Sequence, residues 1–267
     1  MQAPIVITGG SSGIGRAIRL RLEAAGYNTL NLDIQRGEDD CQNFIACDLS
    51  APESLHEAVE SIKVPSGGLG GLICVAGVGP LPDDPLQVMQ VNFLGTRKLT
   101  QLLLPRLRRG GSVTLVASSA GRDWRENRVQ VDAMVATPGF ADGERWLRDS
   151  TEAGSDWQAE AYKFSKQCLA AYTYHAVGAA QPFGVRVNCI NPGITETNLS
   201  ADFRDMLGSD TYDRIVGLSG RAGQPTDVAG LAEFLCVGDA GWINGVEITV
   251  DGGYFAGVVA DWHPKSP

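Results

Sequence analysis

The sequence predicts an α/β fold, a single doubly wound domain around a mainly parallel, seven-stranded sheet. Three observations predict it. Short continuous apolar runs alternate with stretches of helical periodicity along most of the 267 residues, the pattern of strands buried on both faces. The first apolar run passes directly into a glycine-rich turn and a helix, and no Pro-, Gly- or Ser-rich linker divides the chain.

The elements follow in order. Ile5, Val6 and Ile7 form a first strand, TGGSSGIG a tight turn, and Ala17, Ile18, Leu20, Leu22 and Ala25 one face of a helix that ends at Gly26. Residues 29–33 then complete a βαβ unit of Rossmann type. Residues 44–47 make a third strand, and 52–63 a helix with Pro52 near its start and Leu55, Val59 and Ile62 along one side. A fourth strand, 72–76, ends at Gly77; a long helix is expected over about 85–109, its RLRR ending reading as a positive carboxyl terminus. Strands at 112–117, 185–190 and 246–250 alternate with helices at 157–180 and 227–237.

Two segments break the alternation. Residues 122–156 carry Trp124 and Trp146 and end beside Trp157; residues 196–224 carry Leu199, Phe203, Met206 and Leu207 at helical spacing. Each follows the carboxyl end of a strand, where open α/β sheets place ligands, so both are expected as walls of a substrate pocket.

Composition narrows the partners. Hydrophobic residues make up 43% and charged residues 20%, an ordinary globular balance. A net charge of -9 repels phosphate backbones, and without an aromatic-basic stripe no nucleic acid is expected. Cys41, Cys47, Cys74, Cys168, Cys189 and Cys236 lack metal-ligand spacing and read as buried thiols in a reducing compartment; His56, His175 and His263 are far apart, so no metal is expected. The chain enters a strand at once without a charged leader, and it lacks the long apolar run of a membrane span. A cytoplasmic protein with no membrane contact is the expectation.

In the TGGSSGIG turn, Gly9 and Gly13 permit close backbone approach, and the following amides, through Ser11, Ser12 and Ile14, face a pyrophosphate. A plain turn is the alternative for such a cluster. The next strand bears on the choice because it ends in Asp33, whose carboxylate accepts from both hydroxyls of an adenosine ribose and repels the extra phosphate of NADP. NAD is therefore the expected cofactor, with Arg36 either surface charge or a partner for that phosphate. Asp48, beside Leu49, is placed for an adenine edge or for capping the next helix.

Tyr162 and Lys166 stand four apart in a helical stretch and so address one ligand. A phenol titrates near 10 in water, and an adjacent ammonium favours its ionised form, which suits proton exchange with an alcohol or ketone. Chance also places such pairs on helices. Ser118 and Ser119 end the fifth strand, where a hydroxyl either donates to a substrate oxygen or caps a turn. Asn92 is polar inside an apolar helical stretch; a water-borne proton relay to Lys166 and a bond to backbone both account for it. A nicotinamide as hydride carrier would leave the protein one proton to manage, and nothing suggests a second prosthetic group.

TGxxxGIG, Asn92, the serine after the fifth strand, YxxxK and Asn191-Pro192-Gly193 occur in that order, and on them the chain resembles the short-chain dehydrogenase/reductase family. The resemblance implies Ser119 rather than Ser118, with Tyr162, Lys166 and Asn92, as the catalytic set. It also implies that Lys166, with Tyr162, meets the nicotinamide ribose, that the backbone at Ile194 and the hydroxyl of Thr197 hold the carboxamide with Pro192 and Gly193 beside the cofactor, and that the backbone of Ala76 and Gly77 faces the cofactor. Two departures stand out: Cys74-Val75-Ala76-Gly77 replaces the usual Asn-Asn-Ala-Gly, and an insertion lies between the fifth strand and the catalytic helix. GGSVTLVASSAG, RWLRDS and FLCVGDAGWINGVEITVDGG are similar to the branch of the family acting on coniferyl alcohol and 3-alpha-hydroxysteroids, which carries a like insertion. The implied activity is NAD-dependent interconversion of an alcohol with its aldehyde or ketone, on a bulky aryl alcohol or alternatively a hydroxysteroid, by a homodimer or homotetramer. A non-catalytic NAD-binding regulator is the reading from a different class. The insertion's tryptophans either stack on a flat substrate or form a small core of their own.

Overall fold

Alternation along the strands decides which helices cover which face. The computed structural model describes residues 2–39, 43–81 and 83–262; Cys41 and His263 lie outside them. Among the described residues the strands are β1 (Ile5–Thr8), β2 (Thr29–Asp33), β3 (Phe44–Ala46), β4 (Leu69–Cys74), β5 (Leu107–Val116), β6 (Arg186–Pro192) and β7 (Glu247–Val250). The helices are α1 (Gly13–Ala24), α2 (Pro52–Ser61), α3 (Pro85–Met89), α4 (Thr96–Leu103), α5 (Arg128–Val135), α6 (Phe140–Glu152), α7 (Ala161–Ala180), α8 (Ser200–Leu207), α9 (Ser209–Leu218), α10 (Pro225–Val237) and α11 (Tyr254–Val259). Ile5 and Ile7 join Ile73 and Ile190 on one face, packed against Ile18 and Leu22 of α1 and Val228 and Leu235 of α10. Val6, Leu72, Val113 and Leu115 face the other way, onto α2, α4 and α7 through Leu55, Leu99, Leu103, Phe164 and Leu169.

The strands form one sheet in the order β3-β2-β1-β4-β5-β6-β7, every neighbouring pair parallel. From β1 the chain winds outward through β2 and β3, then returns to lay β4 on the other side of β1. That reversal opens a crevice at the carboxyl ends of β1 and β4, the topological switch point where such sheets bind ligands. None of the described helices is long and apolar enough to cross a membrane.

The expected helix over 85–109 is corrected. It divides into α3, a π-helical turn over Gln90–Gly95, α4 and a 3-10 turn over Leu104–Arg106, and β5 begins at Leu107. Pro105 has no N–H for a further helical bond, and buried Leu107 pairs with Leu69 instead. The RLRR segment is thus an entry into a strand and not a helix terminus. The helix expected from 157 begins at Ala161, because the Trp157 indole is held by α6, donating to Leu147 O at 3.1 Å and to Thr151 Oγ1 at 3.0 Å.

The insertion contributes α5 and α6. Its anchor is Arg97, 2% exposed, whose guanidinium donates to the carbonyls of Met134 and Val135 at the end of α5 and of Thr137 and Gly139 just beyond it, and lies 5.1 Å over the Phe93 ring. Trp146 stacks on Phe164 with ring centroids 6.1 Å apart, and Trp124 donates to Glu247 Oε1 at 3.0 Å. The expectation that residues 122–156 wall the substrate pocket is therefore corrected: apart from Arg122 they pack outside the cleft. Helices α8 and α9, in the 196–224 segment, do wall it, through residues such as Leu199, Phe203 and Met206.

Candidate active site

The turn after β1 is shaped by contacts only glycine admits. Gly9 has φ +73°, and a Cβ there would lie 2.8 Å from Ala76 Cα; at Gly15 it would lie 2.1 Å from Gly9 O. Ser12 precedes α1 without a side-chain cap, so Gly13 and Ile14 begin the helix with amides turned to the cleft. The turn is clamped from behind: Asn31 Oδ1 accepts from Gly10 N at 2.8 Å, and Arg19 Nε donates to Gly10 O at 3.0 Å. These two residues escape sequence reading, because each looks like an ordinary polar residue in its element.

Asp33 ends β2 at the cleft, with Oδ2 accepting from Ser11 N at 3.0 Å and Oδ1 from Ile34 N at 2.8 Å. Arg36 does not pair with it. That guanidinium lies 5.1 Å over the Phe44 ring, also on the cleft wall. Asp48 and Leu49 line the same end. Asp48 Oδ1 accepts from Ser50 N at 2.8 Å and Ser50 Oγ at 2.6 Å, closing a turn, whereas the N-cap position of α2 is Ala51, which has no capping side chain.

Loss of the usual asparagines on the fourth strand is offset by Thr8, whose Oγ1 accepts from Val75 N and Ala76 N, both at 3.0 Å. Ala76 and Gly77 thereby stay fixed at the cleft. Asn92 sits behind them in the π-helical turn, 1% exposed. Its Oδ1 accepts from Val78 N at 2.8 Å, and its Nδ2 donates to Val78 O at 3.1 Å and Ser165 Oγ at 3.2 Å. Its side chain thus takes the backbone-bonding role, tying the loop after β4 to α7.

Tyr162 and Lys166 share one face of α7 and line the cleft, with Lys166 Nζ 5.6 Å from the Tyr162 ring centroid. Burial pushes the Tyr162 phenol up to about 12, against the Ser118 hydroxyl, which draws it down. Burial also brings the Lys166 ammonium down to about 8. In the protein alone desolvation prevails at both groups.

Of the two serines, both of which line the cleft, Ser118 is extended at φ -171° and ψ 156° and its hydroxyl is the one that acts on the Tyr162 phenol, whereas the expected Ser119 opens a 3-10 turn (Ser119–Gly121) and offers its carbonyl to Arg122 at 3.1 Å. After β6, Pro192, Gly193 and Ile194 line the cleft, and Thr197 brings a methyl to within 3.3 Å of where a Cβ on Gly13 would lie. The Thr197 hydroxyl accepts from Leu199 N at 3.2 Å. Phe203 of α8 stands edge-on to Tyr162 at 5.0 Å.

The cleft encloses about 1060 Å³, room for a dinucleotide and a second molecule. Its residues fit NAD on two observations. The glycine turn lines the cleft with bare backbone, because side chains at Gly9 and Gly15 would strike Ala76 and Gly9 itself, and Lys166, 5% exposed, makes no hydrogen bond to the described residues, so its donors are turned to the cleft.

A parallel sheet with a dinucleotide crevice at its switch point, facing a serine, a tyrosine and a lysine, defines an α/β oxidoreductase. The family model described as short chain dehydrogenase matches residues 3–130, and that described as Enoyl-(Acyl carrier protein) reductase matches residues 149–255. The chain is 32% identical over 252 residues to coniferyl-alcohol dehydrogenase of Pseudomonas sp. (strain HR199 / DSM 7063), covering 93% of this chain and 95% of that one. It is 31% identical over 264 residues to 3-alpha-hydroxysteroid dehydrogenase/carbonyl reductase of Comamonas testosteroni, with coverage of 93% and 95%. The crystal structure of the 3-alpha-hydroxysteroid dehydrogenase from Pseudomonas sp. B-0831 complexed with NADH matches with a TM-score of 0.82 and 30% identity, over 97% of this chain and 99% of that one. The chain belongs to the short-chain dehydrogenase/reductase family.

Proposed function

We propose that this protein is an NAD-dependent dehydrogenase that interconverts a bulky alcohol, of the coniferyl-alcohol kind, with its aldehyde or ketone; a 3-alpha-hydroxysteroid is the second candidate. The observation that carries the reading is the convergence of Ser118, Tyr162 and Lys166 on one cleft wall, where the Lys166 amine makes no hydrogen bond to the described residues. Bound NAD supplies the hydride acceptor, or as NADH the donor. Asp33 would hold the adenosine ribose and disfavour NADP; Lys166, with Tyr162, would hold the nicotinamide ribose; and Pro192, Gly193, Ile194 and Thr197 would hold the carboxamide. Ser118 donates to the substrate oxygen. Tyr162 takes the proton from an alcohol or returns it to a carbonyl, and a charged Lys166 favours the phenolate that this exchange passes through. Asn92 acts as a positioning residue, because its bonds keep the loop after β4 in register with α7.

A bulky substrate is supported by the apolar wall of Phe203, Met206, Leu207, Ile215 and Tyr254, and by the aryl and steroid alcohols named for the relatives. A homo-oligomer, dimer or tetramer, is part of the proposal. The insertion packs on α7, while Trp242 (100% exposed), before β7, and Phe234 (40%), on α10, lie uncovered. The test is a panel of aryl alcohols, aliphatic alcohols and 3-hydroxysteroids with NAD, followed by NADH absorbance and product detection. The proposal expects turnover concentrated on the bulky members. A protein that binds NAD and oxidises none of them, and whose NADH complex reduces none of the matching carbonyls, contradicts it.

A further inference from the structure

The arginines of this protein mostly end on carboxylates: Arg16 and Arg19 on Asp39, Arg21 on Glu233, Arg106 on Glu60, Arg204 on Asp213 and Arg221 on Asp227. Arg97 and Arg186 are turned inward onto backbone carbonyls. Arg122 holds a single carbonyl and no carboxylate among the described residues. It lines the cleft, half-buried, directly after the turn that begins with Ser119, and among the described residues no carboxylate oxygen lies within 4.0 Å of it. One N–H of its Nη1 donates to Ser119 O at 3.1 Å, and its guanidinium lies 4.1 Å over the Phe255 ring of α11.

These contacts fix the plane of the guanidinium while using one of its five donors. The rest of the fork is left at the edge of a plane held by an aromatic face, the arrangement in which arginine pairs two N–H groups with two oxygens of one carboxylate. The partners of Arg122 are Ser119, next to Ser118, and Phe255, next to the cleft-lining Tyr254, whereas Arg36 lies beside Asp33 at the other end. The other cations on the cleft wall are Arg36, at the adenosine end, and Lys166 beside Tyr162. A chain of net charge -9 repels anions at long range, which makes an uncompensated cation in the substrate half a selective feature. Asp251 lines the same region, but its two oxygens accept from Gly253 N and Phe255 N, both at 2.9 Å, and hold the turn that starts α11.

We infer that Arg122 recognises a carboxylate at the far end of the substrate, so that the preferred molecule is an aryl or polycyclic alcohol, aldehyde or ketone carrying an acid group remote from the reacting carbon. The inference rests on the dehydrogenase reading above and sharpens its substrate class. A hydrogen-bonded ion pair of this kind accounts for a preference of about 10- to 100-fold.

Matched pairs test it: 4-formylcinnamate against its methyl ester, and 3α-hydroxycholan-24-oate against its methyl ester. The wild-type protein is expected to favour the acid of at least one pair by about tenfold or more in kcat/KM, the difference lying in KM. In Arg122→Gln the acid-to-ester ratio is expected to fall to near one, and Arg122→Lys to restore part of it. Both variants are first checked for an unshifted thermal melt; if Arg122→Gln fails to fold, Arg122→Lys and the salt dependence of the wild-type ratio decide. Binding of each acid and ester to the NADH complex, read by NADH fluorescence, supplies the same comparison without turnover. Equal responses of acid and ester, in the wild type or to the substitutions, overturn the inference while ester turnover leaves the dehydrogenase reading standing. Acid-selective binding without any turnover supports Arg122 and counts against the reaction.

Discussion

Burial and charge oppose each other at Tyr162 and Lys166, and the balance has consequences for stability as well as for proton transfer. The Lys166 amine falls from an ordinary value of 10.5 to about 8, so below pH 8 the folded protein holds a buried ammonium that the unfolded chain would keep in water. The folded state binds fewer protons than the unfolded one between about 8 and 10.5, and stability contributed by this group therefore rises with pH through that window. Replacing the amine removes a penalty of up to about 3 kcal/mol at neutral pH. Lys166→Met without NAD is expected to melt higher than wild type at pH 7, with the gap narrowing toward pH 10; a gap that widens would contradict the assignment. At Ser118 the expected loss is catalytic. Ser118→Ala should lower kcat by about 100-fold or more, and Ser119→Ala far less. Asp33 and the glycines were legible because charge at a strand end and the absence of a side chain signal their tasks directly. Ser118 was not, since facing alternates along an extended chain and the point where β5 gives way to a turn decides which hydroxyl meets Tyr162. Arg122 was equally hidden, for the ring that orients it, Phe255, lies at the other end of the chain.

The stretch from α3 to α4 and the insertion support each other. The π-helical turn that carries Asn92 is held from outside by the Gln90 Nε2 bond to Glu144 Oε1 at 2.6 Å, by Leu94 packed against Gly143, and by Arg97. Arg97→Met leaves several carbonyls of the insertion without a donor and is expected to cost about 3–5 kcal/mol, read as a lowered denaturation midpoint. Trp157→Phe loses the two indole bonds to α6; a reduced melting temperature with kcat/KM within about threefold of wild type is expected, because Trp157 lines no part of the cleft. A large change in substrate selectivity in that variant would restore the idea of an insertion that touches substrate. The helical region was legible as apolar periodicity, but its division was not. A π-helical turn shifts the register by one residue without altering composition, and only the three bonds of Asn92 show why the shift is kept. The tryptophans left two readings open because an indole suits a small core and a flat ligand alike; burial against Phe164, Glu247 and α6 decides for packing.

The alternation of apolar strands and helices specifies the whole molecule, and the order β3-β2-β1-β4-β5-β6-β7 follows from right-handed crossovers that start outward from β1 and then reverse. Boundaries were less legible, as at β5, where Pro105 and the partner strand determine the start. Nothing in one sequence displays a surface. Trp242 and Phe234 stand out only once folding has left them uncovered. Sedimentation is expected to show a homo-oligomer that Trp242→Ser shifts toward the monomer; an unchanged assembly would place the interface elsewhere. The central claim is that the Tyr162 hydroxyl exchanges the substrate's proton while NAD exchanges its hydride. Its most direct measurement is the turnover of Tyr162→Phe alongside its NAD affinity, on whichever alcohol the wild type oxidises best. In Tyr162→Phe, kcat is expected to fall about 1000-fold or more with NAD affinity within a few-fold of wild type, and undiminished turnover would rule out Tyr162 as the group that exchanges the proton.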